Sequence, residues 1–395
     1  MNEKNSGKSG KLVLDRLFSS VGAELFVRDY YGKKPLVTSG TRERFELETE
    51  HALFTADALL DGRGSDIFNG YLRRPSGKSF HIRLQSNSAK AFFDFGGTVE
   101  VDGVLASFPA LRTMVQTLRD ELGNPKASAV ALVSPPGEAL PSHFDQQDVF
   151  ILQLSGRKRW RIAPNESGLH PLQSYFPAVK GEGRDGAVWP AYFPEVMPTE
   201  MPAEGRIDVV LEPGSVAYVP RGWWHQTEAL DTSISVTVLS TPIAFVDLFV
   251  KSIRTVLERD EKMRRPVVMP FDPLRREQTH AEITELVAHA IQLVGEVNPS
   301  ALVRKPFSEQ RFTRPTGIGL QIEKDGEAQN LAKVTRGGKV VCEVEIDSDA
   351  VPLCEWLASC ESVTGAVIVG FENSEAIGAE EVVEMLVDAG YLVRG

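Results

Sequence analysis

The stretch Leu140–Ile162, LPSHFDQQDVFILQLSGRKRWRI, decides how the chain is read. It opens on the triplet His143-Phe144-Asp145 and continues into two runs, DVFILQL and RKRWRI, joined through Ser155-Gly156. Short apolar-rich runs bounded by turn residues read as β-strands. Leu154-Ser155-Gly156-Arg157 is expected to form a two-residue hairpin between them. The same texture extends outward, with SAVALV upstream and VVLEPGSVAYVP and SISVTVL downstream. Many short strands with Pro-Gly and Ser-Gly punctuation predict a sandwich or barrel between Lys126 and Leu239.

With 7 histidines in the chain, a His-x-Asp triplet arises by chance about 0.35 times, so His143-Phe144-Asp145 needs a second element. The downstream stretch LEPGSVAYVPRGWWHQT supplies one: strand, turn, strand, turn, then His225. Two histidines and one carboxylate at the ends of separate strands form the ligand set of non-haem Fe(II) oxygenases. Three protein ligands on one face leave the remaining positions for a chelating keto-acid and O₂. A satisfied surface or core histidine is the alternative for each. His51, His81, His170, His280 and His289 lack such a context.

Strand parity singles out Lys158. Arg157, Arg159 and Arg161 share one face of RKRWRI, and Lys158, Trp160 and Ile162 share the other. Three arginines face water, so Lys158 points inward, and an inward lysine needs an anion. The distal carboxylate of 2-oxoglutarate is the candidate, with snorkelling at the barrel rim as the alternative. Ser233, Ser235 and Thr237 share one face of the strand after His225. They either hydrogen-bond the cosubstrate or serve structure alone.

Taken together, HFDQQDVFILQLSGRKRW and YVPRGWWH resemble the JmjC/cupin-like 2-oxoglutarate oxygenases, and within them the ribosomal oxygenase group. The segment RDYYGKKPLV (28–37) and the order of regions fit the same group. The resemblance implies a mainly β fold with α elements, a double-stranded β-helix (the cupin/JmjC jelly roll). It implies residues 12–242 as the catalytic domain with an N-terminal α/β extension, 243–300 as a helical dimerisation region, and 301–395 as a winged-helix-like domain. Residues 1–11, polar and rich in Gly, Ser and Lys, are expected to form a disordered tail.

The resemblance further implies His143, Asp145 and His225 as iron ligands and Lys158 at the 2-oxoglutarate carboxylate, with Ser235 and Thr237 beside it. The implied reaction hydroxylates an arginine or histidine side chain of a basic ribosomal protein, with Fe(II) as cofactor and 2-oxoglutarate and O₂ as cosubstrates. Hydroxylation of another peptide, such as a small precursor peptide, or of a small molecule is the second reading. A non-catalytic cupin-like scaffold is the third, and the intact ligand set weighs against it.

Outside this region the patterns are coarser. Phe108–Leu122 shows helical spacing. Residues 163–206, with Trp189, Tyr192 and Phe193, read as a long insertion loop of the kind that forms lids. Residues 245–264 and 281–294 show the helical period and suggest a homodimer. Beyond them a strand pair near 318–346 and helices near 351–361 and 374–389 are expected.

The chain has 395 residues and a net charge of −11. From residue 301 onward 9 Lys and Arg face 16 Asp and Glu. That balance argues against nucleic acid as a partner, because phosphate binding needs basic surface. No apolar run approaches the roughly 18 residues of a spanning helix, so no membrane association is expected. Asp15 and Arg16 interrupt the N-terminus before a signal sequence can build, which predicts a cytoplasmic protein. Cys342, Cys354 and Cys360 read as buried thiols rather than a disulfide framework.

Overall fold

The computed structural model describes residues 12–50, 52, 54–61, 67–73, 79–124, 126–138, 140–177, 197–266, 273–295, 310–324, 330–346, 348–369 and 379–394. The chain divides into two units, residues 1–244 and 245–395. Trp189, Tyr192, Phe193 and the 1–11 tail lie outside the described residues.

Among the described residues the first unit is built on twelve strands. They are β1 (Leu36–Thr38), β2 (Phe68–Arg73), β3 (Ser79–Leu84), β4 (Thr98–Val101), β5 (Lys126–Ser134) and β6 (Gly137–Glu138), then β7 (Asp148–Ser155), β8 (Lys158–Ala163), β9 (Ile207–Leu211), β10 (Val216–Val219), β11 (Trp224–Ala229) and β12 (Ser233–Thr241). One sheet runs β1-β10-β7-β12-β5-β4-β2-β3 and the other β6-β11-β8-β9. Every recorded pairing is antiparallel.

The large sheet is apolar on both faces, for two different reasons. Phe150, Leu152 and Leu154 of β7 join Ile234, Val236 and Val238 of β12 and Ala129, Ala131 and Val133 of β5 in one core. That core also takes the helix Pro109–Leu122, through Leu111, Met114, Val115 and Leu118. The helix matches the expected element closely. Proline at its first turn needs no donor there, and Gly123 ends it in the left-handed region, φ 66°. On the opposite face Val149 and Ile151 pack with Trp160, Ile162 and Leu211 across the gap between the sheets.

The expected hairpin between β7 and β8 is not there. β7 pairs with β10 and β12, whereas β8 pairs with β9 and β11 in the other sheet. Ser155-Gly156-Arg157 is the corner at which the chain changes sheets. Gly156 has φ +64°, and a Cβ there would lie 2.1 Å from the Thr232 carbonyl oxygen. A two-residue Ser-Gly connection is compatible with either geometry; pairing partners far along the chain decide between them. The parity argument survives, since Lys158, Trp160 and Ile162 are buried. Arg159 and Arg161 lie outside, in ion pairs with Asp208 and Glu228.

The 28–37 segment clamps the end of this sheet. β1 pairs with β10, and the Gly32 N–H donates to the buried Tyr218 hydroxyl at 2.7 Å. That hydroxyl donates in turn to Asp148 at 2.7 Å. Asn124 reaches both Tyr31 and Ser240.

In the second unit the helices are Phe245–Arg259 and Pro273–Gly295, the latter beginning earlier than the apolar period indicated. The expected strand pair is a three-stranded meander, Ile318–Lys324, Asn330–Arg336 and Lys339–Ile346. Gly337-Gly338, both with positive φ, make the extra hairpin turn. Arg311–Thr313, Ser362–Thr364 and Val393–Arg394 form a second small sheet. The helices Val351–Ser359 and Ala379–Asp388 share a core around Leu353, Leu357, Val383, Leu386 and Tyr391. Of the three free thiols only Cys354 is fully buried; Cys342 and Cys360 are partly exposed. Among the described residues no helix is long and apolar enough to cross a membrane.

Candidate metal centre

His143 and His225 face each other across an isolated antiparallel bridge. Their backbones exchange both hydrogen bonds, at 3.0 and 2.8 Å. His225 is the second residue of β11, and His143 lies in the segment that crosses to meet it. The Gly222 N–H donates to the Asp145 carbonyl at 2.8 Å, which ties the turn before β11 to the third residue of the set.

The imidazoles are held in one orientation. Nδ1 of His143 lies 2.7 Å from the Pro141 carbonyl, and Nδ1 of His225 lies 3.0 Å from that of Trp223. Carbonyl oxygens only accept, so each Nδ1 carries the proton and each Nε2 offers a lone pair. Both Nε2 atoms point to Asp145 Oδ2, at 3.7 and 3.4 Å. The three side chains present one ligand atom each within 4.8 Å of one another. The two histidines are each 3% exposed.

Electrostatics favour the donor forms. Burial, reinforced by the neighbouring His225, pulls the His143 pKa down to about 4, so its ring is neutral at pH 7. Burial pushes Asp145 the other way. It is outweighed by the two adjacent imidazoles, His225 foremost, and the carboxyl falls to about 2. Two imidazoles and one carboxylate on one face fit a ferrous ion and leave positions for a chelating cosubstrate and O₂.

Lys158 occupies the same interior. It is 0% exposed, and its Nζ has no hydrogen-bond partner among the described residues. Burial alone pulls its pKa from 10.5 to about 7. In the β8–β11 pairing His225 stands opposite Ile162 and Lys158 opposite Ala229. Lys158 is therefore four residues, roughly 13 Å of strand, from the His225 row and on the same face. Ser235 Oγ, Thr237 Oγ1, Ser134 Oγ and Trp160 Nε1 are likewise buried and without partners. Ser235 and Thr237 face away from the helices because Val236 and Val238, which alternate with them, enter the helix-side core. A buried ammonium without a hydrogen-bond partner is costly unless an anion joins it.

Sequence reasoning missed the residues that surround the ligands. Phe176 stacks on His143 at 4.2 Å, and Trp160 stacks on His225 at 5.8 Å. Ser174 accepts from the Gln146 N–H at 3.1 Å, beside Asp145, and helps lower that carboxyl. Glu100 is pushed up to about 7 by burial and by Asp102, and its charge also repels that of Asp145. None of these carries a spacing signal; only Trp160 was placed inside, by parity. Of the other histidines, His81 stacks on Tyr71 and His289 pairs with Asp260.

The JmjC domain family matches residues 112–182 and 190–248. The uncharacterized protein YxbC of Bacillus subtilis is 24% identical over 308 residues, covering 75% of this chain and 91% of that protein. Ribosomal oxygenase 1 of Danio rerio is 26% identical over 294 residues, covering 69% of this chain. The chain spans about half (48%) of the length of that relative. A crystal structure of the Escherichia coli ribosomal oxygenase YcfD aligns over 94% of this chain and 97% of its own, at 20% identity and a TM-score of 0.43. Residues 112–182 and 190–248, which carry His143, Asp145 and His225, thus match a JmjC domain, and the chain is similar to ribosomal oxygenases.

Proposed function

We propose that this chain hydroxylates a side chain of a protein, with a ribosomal protein as substrate and arginine or histidine as the target residue. The observation that carries the chemistry is the convergence of His143 Nε2, His225 Nε2 and an Asp145 carboxylate oxygen within 4.8 Å. The names of the relatives support the ribosomal substrate. A net charge of −11 suits a basic partner.

In this reading His143, Asp145 and His225 hold the iron. Bound Fe(II) with 2-oxoglutarate and O₂ supplies oxidation of an unactivated C–H bond, coupled to release of succinate and CO₂. The backbone carbonyls of Pro141 and Trp223 keep both rings in the ligating tautomer. Lys158 pairs with the distal carboxylate of 2-oxoglutarate, and Ser235 and Thr237 supply hydroxyls beside it. The apolar walls, Val149, Ile151, Trp160 and Ile162, exclude water from that end. No side chain serves as a general base.

The domain reading is retained: 12–242 catalytic, 243–300 dimerising, 301–395 winged-helix-like, in a cytoplasmic homodimer. Phe245, Phe249 and Val250 on one helix and Ile291 on the next, all half-exposed or more, support the dimer. The test of function is incubation with Fe(II), ascorbate, 2-oxoglutarate and ribosomal proteins from a deletion strain. Succinate release together with a gain of one oxygen on one ribosomal protein is expected. Succinate release with no ribosomal protein modified refutes the substrate; no succinate under any condition refutes the chemistry.

A further inference from the structure

The segment after β8 returns to the ligands and lies against two of them. Tyr175 and Phe144 exchange both backbone hydrogen bonds, at 2.9 and 3.2 Å, in an isolated antiparallel bridge. Extended chain alternates its side chains. Tyr175 accordingly enters the cluster of Phe144, Ala163, Met197 and Trp224. Ser174 and Phe176 point the other way, toward Asp145 and His143. The Ser174 hydroxyl accepts from the Gln146 N–H at 3.1 Å, next to Asp145, and helps hold that carboxyl below its ordinary range. The Phe176 ring lies 4.2 Å from that of His143, 16° from parallel.

Both imidazoles already have a carbonyl fixing their outer nitrogen. Asp145 has no such backbone restraint on its side chain, and it sits at the rim of the set, partly exposed. A carboxylate can turn about its last bond and offer a metal one oxygen or two. Ser174, itself anchored by the Gln146 N–H, restricts that turn.

We infer that Ser174 and Phe176 are positioning residues of the metal centre: Ser174 aims the Asp145 carboxylate and Phe176 fixes the plane of the His143 ring. The inference rests on the assignment of His143, Asp145 and His225 as metal ligands. It also gives the stretch leading into residues 178–196 a role that the sequence reading, which treated 163–206 as a lid, did not assign. A surrounding hydrogen bond of this kind is worth about 10–100-fold in metal affinity.

The experiment uses the full chain and Co(II) as the probe, read by its visible absorption bands and by titration, with no turnover required. Ser174→Ala should weaken Co(II) binding about 10–100-fold and alter the absorption envelope, while Ser174→Thr, which keeps the hydroxyl, should retain both. Phe176→Leu should weaken binding by less, and Phe176→Tyr should not. Melting of the metal-free variants separates loss of fold from loss of aim; if Ser174→Ala does not fold, the Ser174→Thr and Phe176 pairs decide. Ser174→Ala binding within about threefold of wild type, or Ser174→Thr as weak as Ser174→Ala, overturns the inference. Wild-type protein that binds no Co(II), or binds it equally after His225→Ala, overturns the ligand assignment instead.

Discussion

Replacing Lys158 by methionine removes a charge while keeping the length and apolar stem of a wholly buried side chain. In the protein without cosubstrate the Lys158 amine has no hydrogen-bond partner among the described residues, and burial holds its pKa at about 7 against an ordinary 10.5. At about 1.4 kcal/mol per pH unit, that depression corresponds to about 5 kcal/mol. The unfolded chain binds more protons than the folded one between pH 7 and 10.5, so stability rises with pH across that window. Near pH 7 almost the whole penalty is present. Lys158→Met should therefore stabilise the cosubstrate-free protein at pH 7, by about 1–4 kcal/mol once relaxation is allowed for. It should also flatten the dependence of melting temperature on pH above 7.

Binding should move in the opposite direction. If Lys158 meets the distal carboxylate of 2-oxoglutarate, the variant leaves that carboxylate buried and unpaired, at about 2–5 kcal/mol. That is roughly a 30- to 5,000-fold rise in the Michaelis constant for 2-oxoglutarate. Wild-type protein should also take up a proton on binding at pH 8, seen as a buffer-dependent calorimetric heat that Lys158→Met lacks. Calorimetric melts and succinate release measure the two sides. A Michaelis constant within about threefold of wild type, or a Met variant that melts no later, refutes the pairing.

Asp145→Ala should abolish metal binding and succinate release while the far-ultraviolet circular dichroism is retained; residual turnover rejects the triad. Gly156→Ala should destabilise the first unit by about 2 kcal/mol or more in urea titration, because its Cβ meets the Thr232 carbonyl from a left-handed backbone. Tyr218→Phe should cost about 1–3 kcal/mol in the same assay, since the Gly32 N–H and Asp148 both lose a buried partner. Its Michaelis constant for 2-oxoglutarate should stay near wild type.

Much of this protein was legible in one dimension, where the physics is local. Strand alternation put Lys158, Trp160 and Ile162 inside and the arginines outside, whatever sheet β8 joined. The same parity turned Ser235 and Thr237 away from the helix-side core. Residue chemistry picked His143, Asp145 and His225 as donors. Apolar spacing marked a helix at Phe108–Leu122, and Pro109–Leu122 forms it.

What needed the tertiary structure is everything that depends on partners distant in the chain. Ser155-Gly156 permits a hairpin or a corner, and only the competition of β10 and β12 for β7, and of β9 and β11 for β8, selects the corner. Ser174 and Phe176 reach the ligands because Tyr175 bridges Phe144, a contact with no sequence period to betray it. The open ammonium of Lys158 is likewise a fact of enclosure. A sequence specifies which way a side chain leans from its own strand, but the dielectric and the neighbours it meets are set by the other sheet.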